Sequence, residues 1–140
     1  MVKSNIFHTN KKRRGYTKLC HVTECPFCVL NERILFETKT MVVIGNAAPY
    51  DWFDNLQVKE HLMVIPKRHV EELNELNKTE SKEYFDVLSK YEKKGYSFFS
   101  RDNTNNSRSQ LHLHTHLIKT GDKADKFILV IRDLKIRFVK

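Results

Sequence analysis

Leu111-His112-Leu113-His114-Thr115-His116-Leu117 alternates imidazoles with apolar or β-branched residues. Period-two alternation marks a strand with one buried face, and residues two apart share a face. The pattern predicts His112, His114 and His116 on one side. Leu111, Leu113, Thr115 and Leu117 fall on the side that packs on a core. A strand face with three histidines requires a use for nitrogen ligands, donors or bases. Two uses compete. Two of the three could share a metal ion, but all three converge poorly, because the outer pair is roughly 13 Å apart at ~3.3 Å per residue. The alternative is nucleophilic and general acid/base catalysis by neutral imidazole.

Immediately upstream, residues 101–110 form an all-polar loop. Arg101 and Arg108 can offset phosphate charge, and Ser107, Ser109 and the loop amides can donate to phosphate oxygens. Before the loop, residues 96–99 read as a strand. The helix before that is the clearest in the chain. Thr79 is its expected N-cap, Glu80 and Glu83 suit its first turn, and Tyr84, Val87, Leu88 and Tyr91 repeat at helical spacing up to Gly95. Leu73 and Leu76 predict a shorter helical turn. Residues 61–66 are a short apolar strand stopped by Pro66, and residues 46–59 read as a loop. Residues 33–44 read as two strands around a turn, and residues 127–139 as one or two more strands. Strands dominate, without βαβα alternation, which predicts an antiparallel α+β domain.

The chain has 140 residues, 40% hydrophobic and 30% charged, as expected of a globular domain. One domain over residues 21–140 is expected, after a basic, weakly ordered segment 1–20. No apolar run reaches the ~20 residues of a membrane helix, and no secretory signal opens the chain, so a cytoplasmic protein is expected, with no membrane partner. The net charge of +8, partly from Lys11, Lys12, Arg13 and Arg14, favours anionic partners and leaves nucleic acid possible. Cys25-Pro26-Phe27-Cys28 has zinc-knuckle spacing. A redox pair would need a strand-then-helix context that is not evident, and unliganded thiols are the other reading. A zinc held there must recruit histidines; His69 and one histidine of the triad are available, with Cys20 and His21 as competitors.

At this point the sequence resembles the histidine-triad (HIT) family of nucleotide hydrolases and transferases, in its zinc-bearing bacterial type. The likeness rests on His112-Leu-His114-Thr-His116-Leu-Ile, on His61-Leu-Met-Val-Ile-Pro-Lys-Arg-His69 and on Cys25-Pro-Phe-Cys28. It spans about residues 24–120. It implies a HIT-like antiparallel sheet of five strands or slightly more, one long and one short helix, and a homodimer. It implies hydrolysis of a phosphoanhydride, phosphoester or phosphoramidate at the α-phosphorus of a nucleotide. His114 would be the nucleophile, forming a nucleotidyl-histidine; His116 would contact the phosphate and assist the leaving group; His112 would support the strand. Zinc would take Cys25, Cys28, His69 and His112, with no organic cofactor. Asn46, His61, Arg101, Asn103, Arg108 and Ser109 would serve nucleotide binding. Arg101 departs from the asparagine common in the family, and the loop lacks its usual glycines. Two other readings remain open: a non-catalytic, zinc-stabilised module that binds nucleotides or nucleic acid, and an enzyme that removes an adenylate from a nucleic-acid end.

Overall fold

The computed structural model describes residues 25–30, 34–54, 56–105, 107–124, 128–132 and 135–139. The basic run Lys11–Arg14, Cys20, His21 and the rest of segment 1–20 lie outside the described residues. The elements in order are β1 (Ile34–Glu37), β2 (Met41–Gly45), β3 (Trp52–Phe53), β4 (Leu56–Pro66), a 3-10 turn (Leu73–Glu75), α1 (Lys78–Glu92), β5 (Ser97–Ser100), β6 (Thr115–Ala124), β7 (Ile128–Arg132) and β8 (Lys135–Val139). Six strands form an antiparallel sheet in the order β1-β2-β4-β6-β5, with β3 paired to β4. β7 and β8 form a separate two-stranded antiparallel sheet. The α+β architecture is therefore the one expected, with the short helix realised as the 3-10 turn. No helix among the described residues is long and apolar enough to cross a membrane.

The central strand β4 organises the molecule. Its apolar run Leu62–Ile65 is buried throughout, so each face of the sheet has its own cover. On one face Met41, Val43, Leu62, Val64 and Leu117 pack against Tyr84, Val87, Leu88 and Tyr91 of α1. On the other, Val42, Ile44, Met63 and Ile65 lie under Phe27 and Leu30. The cysteine-bearing segment 25–30 thus covers the face opposite the helix.

Three differences from the sequence reading have local causes. α1 begins two residues earlier than Thr79 suggests. Asn77 is the N-cap, its side chain accepting from Glu80 N–H while Glu80 reaches back to Asn77 N–H in a capping box. Gly95, at φ +82, ends the helix as expected. The stretch 46–59 is not wholly loop, because β3 pairs back onto an eleven-residue β4 that starts at Leu56. Finally, only His116 of the triad lies within a strand. The β4–β6 ladder stops at Val64↔Thr115, next to Pro66, which has no N–H to extend it. Leu113 N–H instead donates to Val70 O at 2.6 Å, so His112 and His114 sit in an extended lead-in, and Leu111 turns out to solvent.

Candidate functional site: a histidine cluster beside a cysteine–histidine cage

The lead-in and the strand still bring the histidines together on the face away from α1. His112, His114 and His116 are all buried. The rings of His114 and His116 meet edge to face at 5.2 Å, and Phe27 lies against His112 and His114 at 5.9 and 5.3 Å. On the opposite side of the chain Leu113, Thr115 and Leu117 are buried, and Thr115 Oγ1 bonds the Tyr84 hydroxyl at 2.7 Å.

Hydrogen bonds assign a tautomer to each ring. His114 Nδ1 lies 2.8 Å from His112 O. A carbonyl only accepts, so Nδ1 carries the proton and Nε2 keeps its lone pair. Tyr50 N–H donates to His61 Nδ1 at 3.0 Å, so the His61 proton sits on Nε2. That nitrogen is 2.8 Å from His116 Nδ1, which must accept, leaving the His116 proton on Nε2. Asn46 lies beside His61: its Oδ1 accepts Ala48 N–H, and its amide nitrogen is 3.0 Å from His61 Nε2, a contact between two donors in this tautomer and not a hydrogen bond. Burial, ahead of the nearby Arg108 and Arg101 charges, keeps the pKa of His114 below the usual histidine value. Burial, reinforced by His61, His114 and Arg101, takes His116 down to about 2. Both rings are neutral near pH 7.

The cage is built by three segments. The turn 25–28, closed by Cys28 N–H to Cys25 O, presents two thiols; the residues after β4 supply His69; the lead-in supplies His112. His112 Nδ1 lies 3.4 Å from Cys25 Sγ and 3.6 Å from Cys28 Sγ, and His69 Nδ1 lies 3.2 Å from Cys28 Sγ. All four ligand atoms fall within 4.8 Å of one another. A tetrahedral zinc with bonds of about 2.3 Å to sulfur and 2.05 Å to nitrogen has N···S edges of about 3.5 Å, so the residues fit the ion. His112 Nε2 donates to Pro66 O at 2.9 Å, which leaves Nδ1 as the ligand atom facing the thiols. Burial and the adjacent Cys25 raise the Cys28 thiol pKa, a repulsion that a cation would relieve.

The remaining expected nucleotide contacts separate. Asn46 and His61 stand behind His116. Arg101 reaches the Tyr50 hydroxyl at 3.3 Å and lies over Phe99. Asn103 bonds Glu72. Arg108 donates to the carbonyls of Gln110, Arg101, Glu71 and Leu111, so it fastens the loop instead of offering its donors to a phosphate. Ser109 is exposed. Tyr50, Phe53 and Phe99 escaped the sequence reading. Tyr50 and Phe99 flank His116 at 5.6 and 4.7 Å, and Phe53 stacks on Phe99 at 5.7 Å. No periodicity marks Tyr50; a Pro-Tyr pair in a loop carries no pattern.

Sheet, histidine cluster and cage together define a protein of the histidine-triad class. The chain belongs to the family described as "Scavenger mRNA decapping enzyme C-term binding", which it matches over residues 24–128. Solved structures agree on the fold. A HIT family hydrolase from Clostridium thermocellum is 23% identical, with 75% of this chain and 97% of that one covered at a TM-score of 0.55. A HIT family hydrolase from Legionella pneumophila is 24% identical, covering 71% and 94% at 0.52. A histidine triad nucleotide-binding protein from Candida albicans is 20% identical, covering 72% and 78% at 0.57. No curated protein matches the chain.

Proposed function

We propose that the chain is a nucleotide hydrolase that cleaves a phosphoanhydride, phosphoester or phosphoramidate at the α-phosphorus through a nucleotidyl-His114 intermediate. The observation that carries this reading is the His114 tautomer. A buried, neutral imidazole whose Nδ1–H is held by a carbonyl has its nucleophilic lone pair fixed on Nε2. In the first step Nε2 bonds to phosphorus, and the bond to the leaving group breaks with its electron pair. The His112 carbonyl stabilises the positive charge that develops on the ring through Nδ1–H. His116 holds its proton on Nε2, backed by His61, and donates it toward a phosphate oxygen or the leaving atom. Water then displaces His114 from phosphorus.

Zinc in the cage of Cys25, Cys28, His69 and His112 belongs to the same reading as a structural ion that ties the segment 25–30 to the sheet. The non-catalytic alternative draws on Lys11–Arg14, whereas the tautomers assigned to His114 and His116 favour chemistry.

The test is hydrolysis of adenylated and dinucleoside polyphosphate substrates by the wild type and His114→Ala. Loss of turnover in a variant that melts like the wild type is expected, together with an alkali-stable mass increase of one nucleotide on quenched wild-type protein. Undiminished turnover by His114→Ala removes the reading.

A further inference from the structure

Within this site Arg101, expected to serve nucleotide binding, can be given a narrower task. Arg101 follows β5 and is half-buried. Its guanidinium is held by two aromatic neighbours of His116: Nη2 donates to the Tyr50 hydroxyl at 3.3 Å, and the guanidinium carbon lies 5.2 Å from the Phe99 ring centre. Ion pairs among the described residues join Lys67 to Glu37, Arg68 to Glu80 and Lys82 to Asp86; none involves Arg101. The adjacent carboxylate, Asp102, accepts from Thr104 N–H and Oγ1. A guanidinium has five N–H donors in a rigid fork, and Tyr50 engages one nitrogen. Arg108, by contrast, has four of its five N–H donors on main-chain carbonyls.

An α-phosphate alone brings about one negative charge in a diester or amidate. A polyphosphate leaving group brings more, and the charge on it grows as the bond to phosphorus breaks. A forked guanidinium with no ion-pair partner among the described residues matches such a group. A cleft of about 340 Å³ opens next to Arg101, lined also by Ser100, Asn103, Arg108 and the carboxylates of Glu71, Glu72 and Asp102. The three carboxylates make an amine leaving group the competing occupant.

We infer that Arg101 is a specificity-determining residue that binds the phosphate beyond the α position, so that the preferred substrate class is a nucleoside polyphosphate and not a phosphoramidate. The inference rests on the reading of His114 as nucleophile. His114 Nε2 bonds to the α-phosphorus, the bond from that phosphorus to the bridging oxygen breaks, and the departing phosphate keeps the electron pair next to Arg101. Water then forms the new bond to phosphorus, loses one proton to solvent, and returns the electron pair to His114.

The experiment compares kcat/KM for two substrates with the same nucleoside, a dinucleoside triphosphate and an unsubstituted 5′-phosphoramidate, in the wild type, Arg101→Gln and Arg101→Lys. The polyphosphate-to-amidate ratio is expected to fall about tenfold or more in Arg101→Gln, the usual scale for a lost charge-assisted contact. Arg101→Lys should keep part of the preference, since it retains charge without the fork. An unchanged ratio, or a greater loss on the amidate, overturns the inference. If the wild type hydrolyses neither substrate, the catalytic reading falls, and calorimetric titration with the nucleoside diphosphate and monophosphate decides Arg101 separately. Tighter diphosphate binding that Arg101→Gln abolishes supports the inference. Equal affinity for both in the wild type overturns it.

Discussion

His116 shows at the level of one side chain how burial and chemistry meet. Its folded pKa is depressed below that of the unfolded chain, near 6.5, to about 2. The unfolded state therefore takes up a proton that the native state refuses. The stability this ring permits is fully present above pH ~6.5 and is lost as pH falls through the window down to about 2, by up to about 1.4 kcal/mol per pH unit. Urea titrations from pH 7.5 to 4 should show this acid slope in the wild type and a shallower one in His116→Gln. At the same scale, Tyr84→Phe removes the partner of the buried Thr115 hydroxyl and should cost about 1–2 kcal/mol, measured by chemical denaturation. The alternation of residues 111–117 exposed the cluster in the sequence, because period two is a local property. It could not expose the tautomers, which depend on main-chain atoms of Tyr50 and His112 that any residue type would supply. Nor could it show that Arg108 is consumed by carbonyls.

Among the elements, α1 and the β1–β2 hairpin offer separable tests. Asn77→Ala should cost about 1 kcal/mol as the lost N-cap, while Thr79→Ala, at an exposed position, should stay within about 0.5 kcal/mol. Equal effects in thermal melts would contradict the observed cap. Glu83 of α1 accepts from Thr38 Oγ1, Thr40 N–H and Thr40 Oγ1, all at Oε2, and these bonds hold its carboxyl at about 2, below the usual 4.5. Its contribution is therefore complete above pH ~4.5 and disappears as pH falls toward 2. Glu83→Gln should melt at a lower temperature at pH 7 and lose that part of the acid dependence. The helix was evident from Tyr84, Val87, Leu88 and Tyr91, since 3.6-residue spacing needs no partner. Its start was ambiguous because Asn77 and Thr79 are both good caps, and the choice falls to Glu80, which closes a box with Asn77 while also meeting Arg68. The extent of β4 was hidden because residues 56–60 alternate without a strong apolar signal and are fixed by pairing with β3 and β6.

Across the whole molecule, the sheet carries a helix on one face and, on the other, a lid whose Cys25 and Cys28 belong to a cluster that could hold a metal. Removing an ion bound there should therefore do more than empty a cage. The cover of Phe27 and Leu30 over Val42, Ile44, Met63 and Ile65 would lose its tether, so chelation, or Cys28→Ser, should lower Tm and raise binding of an apolar dye while far-UV ellipticity from α1 persists. Metal analysis should find one zinc per chain in the untreated protein. The pairing of β4 with β6 has a consequence for fidelity. Met63 stands opposite His116 and His61 opposite Ile118, with Leu62 and Leu117 between them turned to the helix. A slip of a single residue would carry Leu62 and Val64 out of the core and swing His61 away from His116 in the same movement. Misalignment thus forfeits solubility and proton placement together. A chain that passes quality control on its apolar packing has, by the same count of residues, already assembled its histidines.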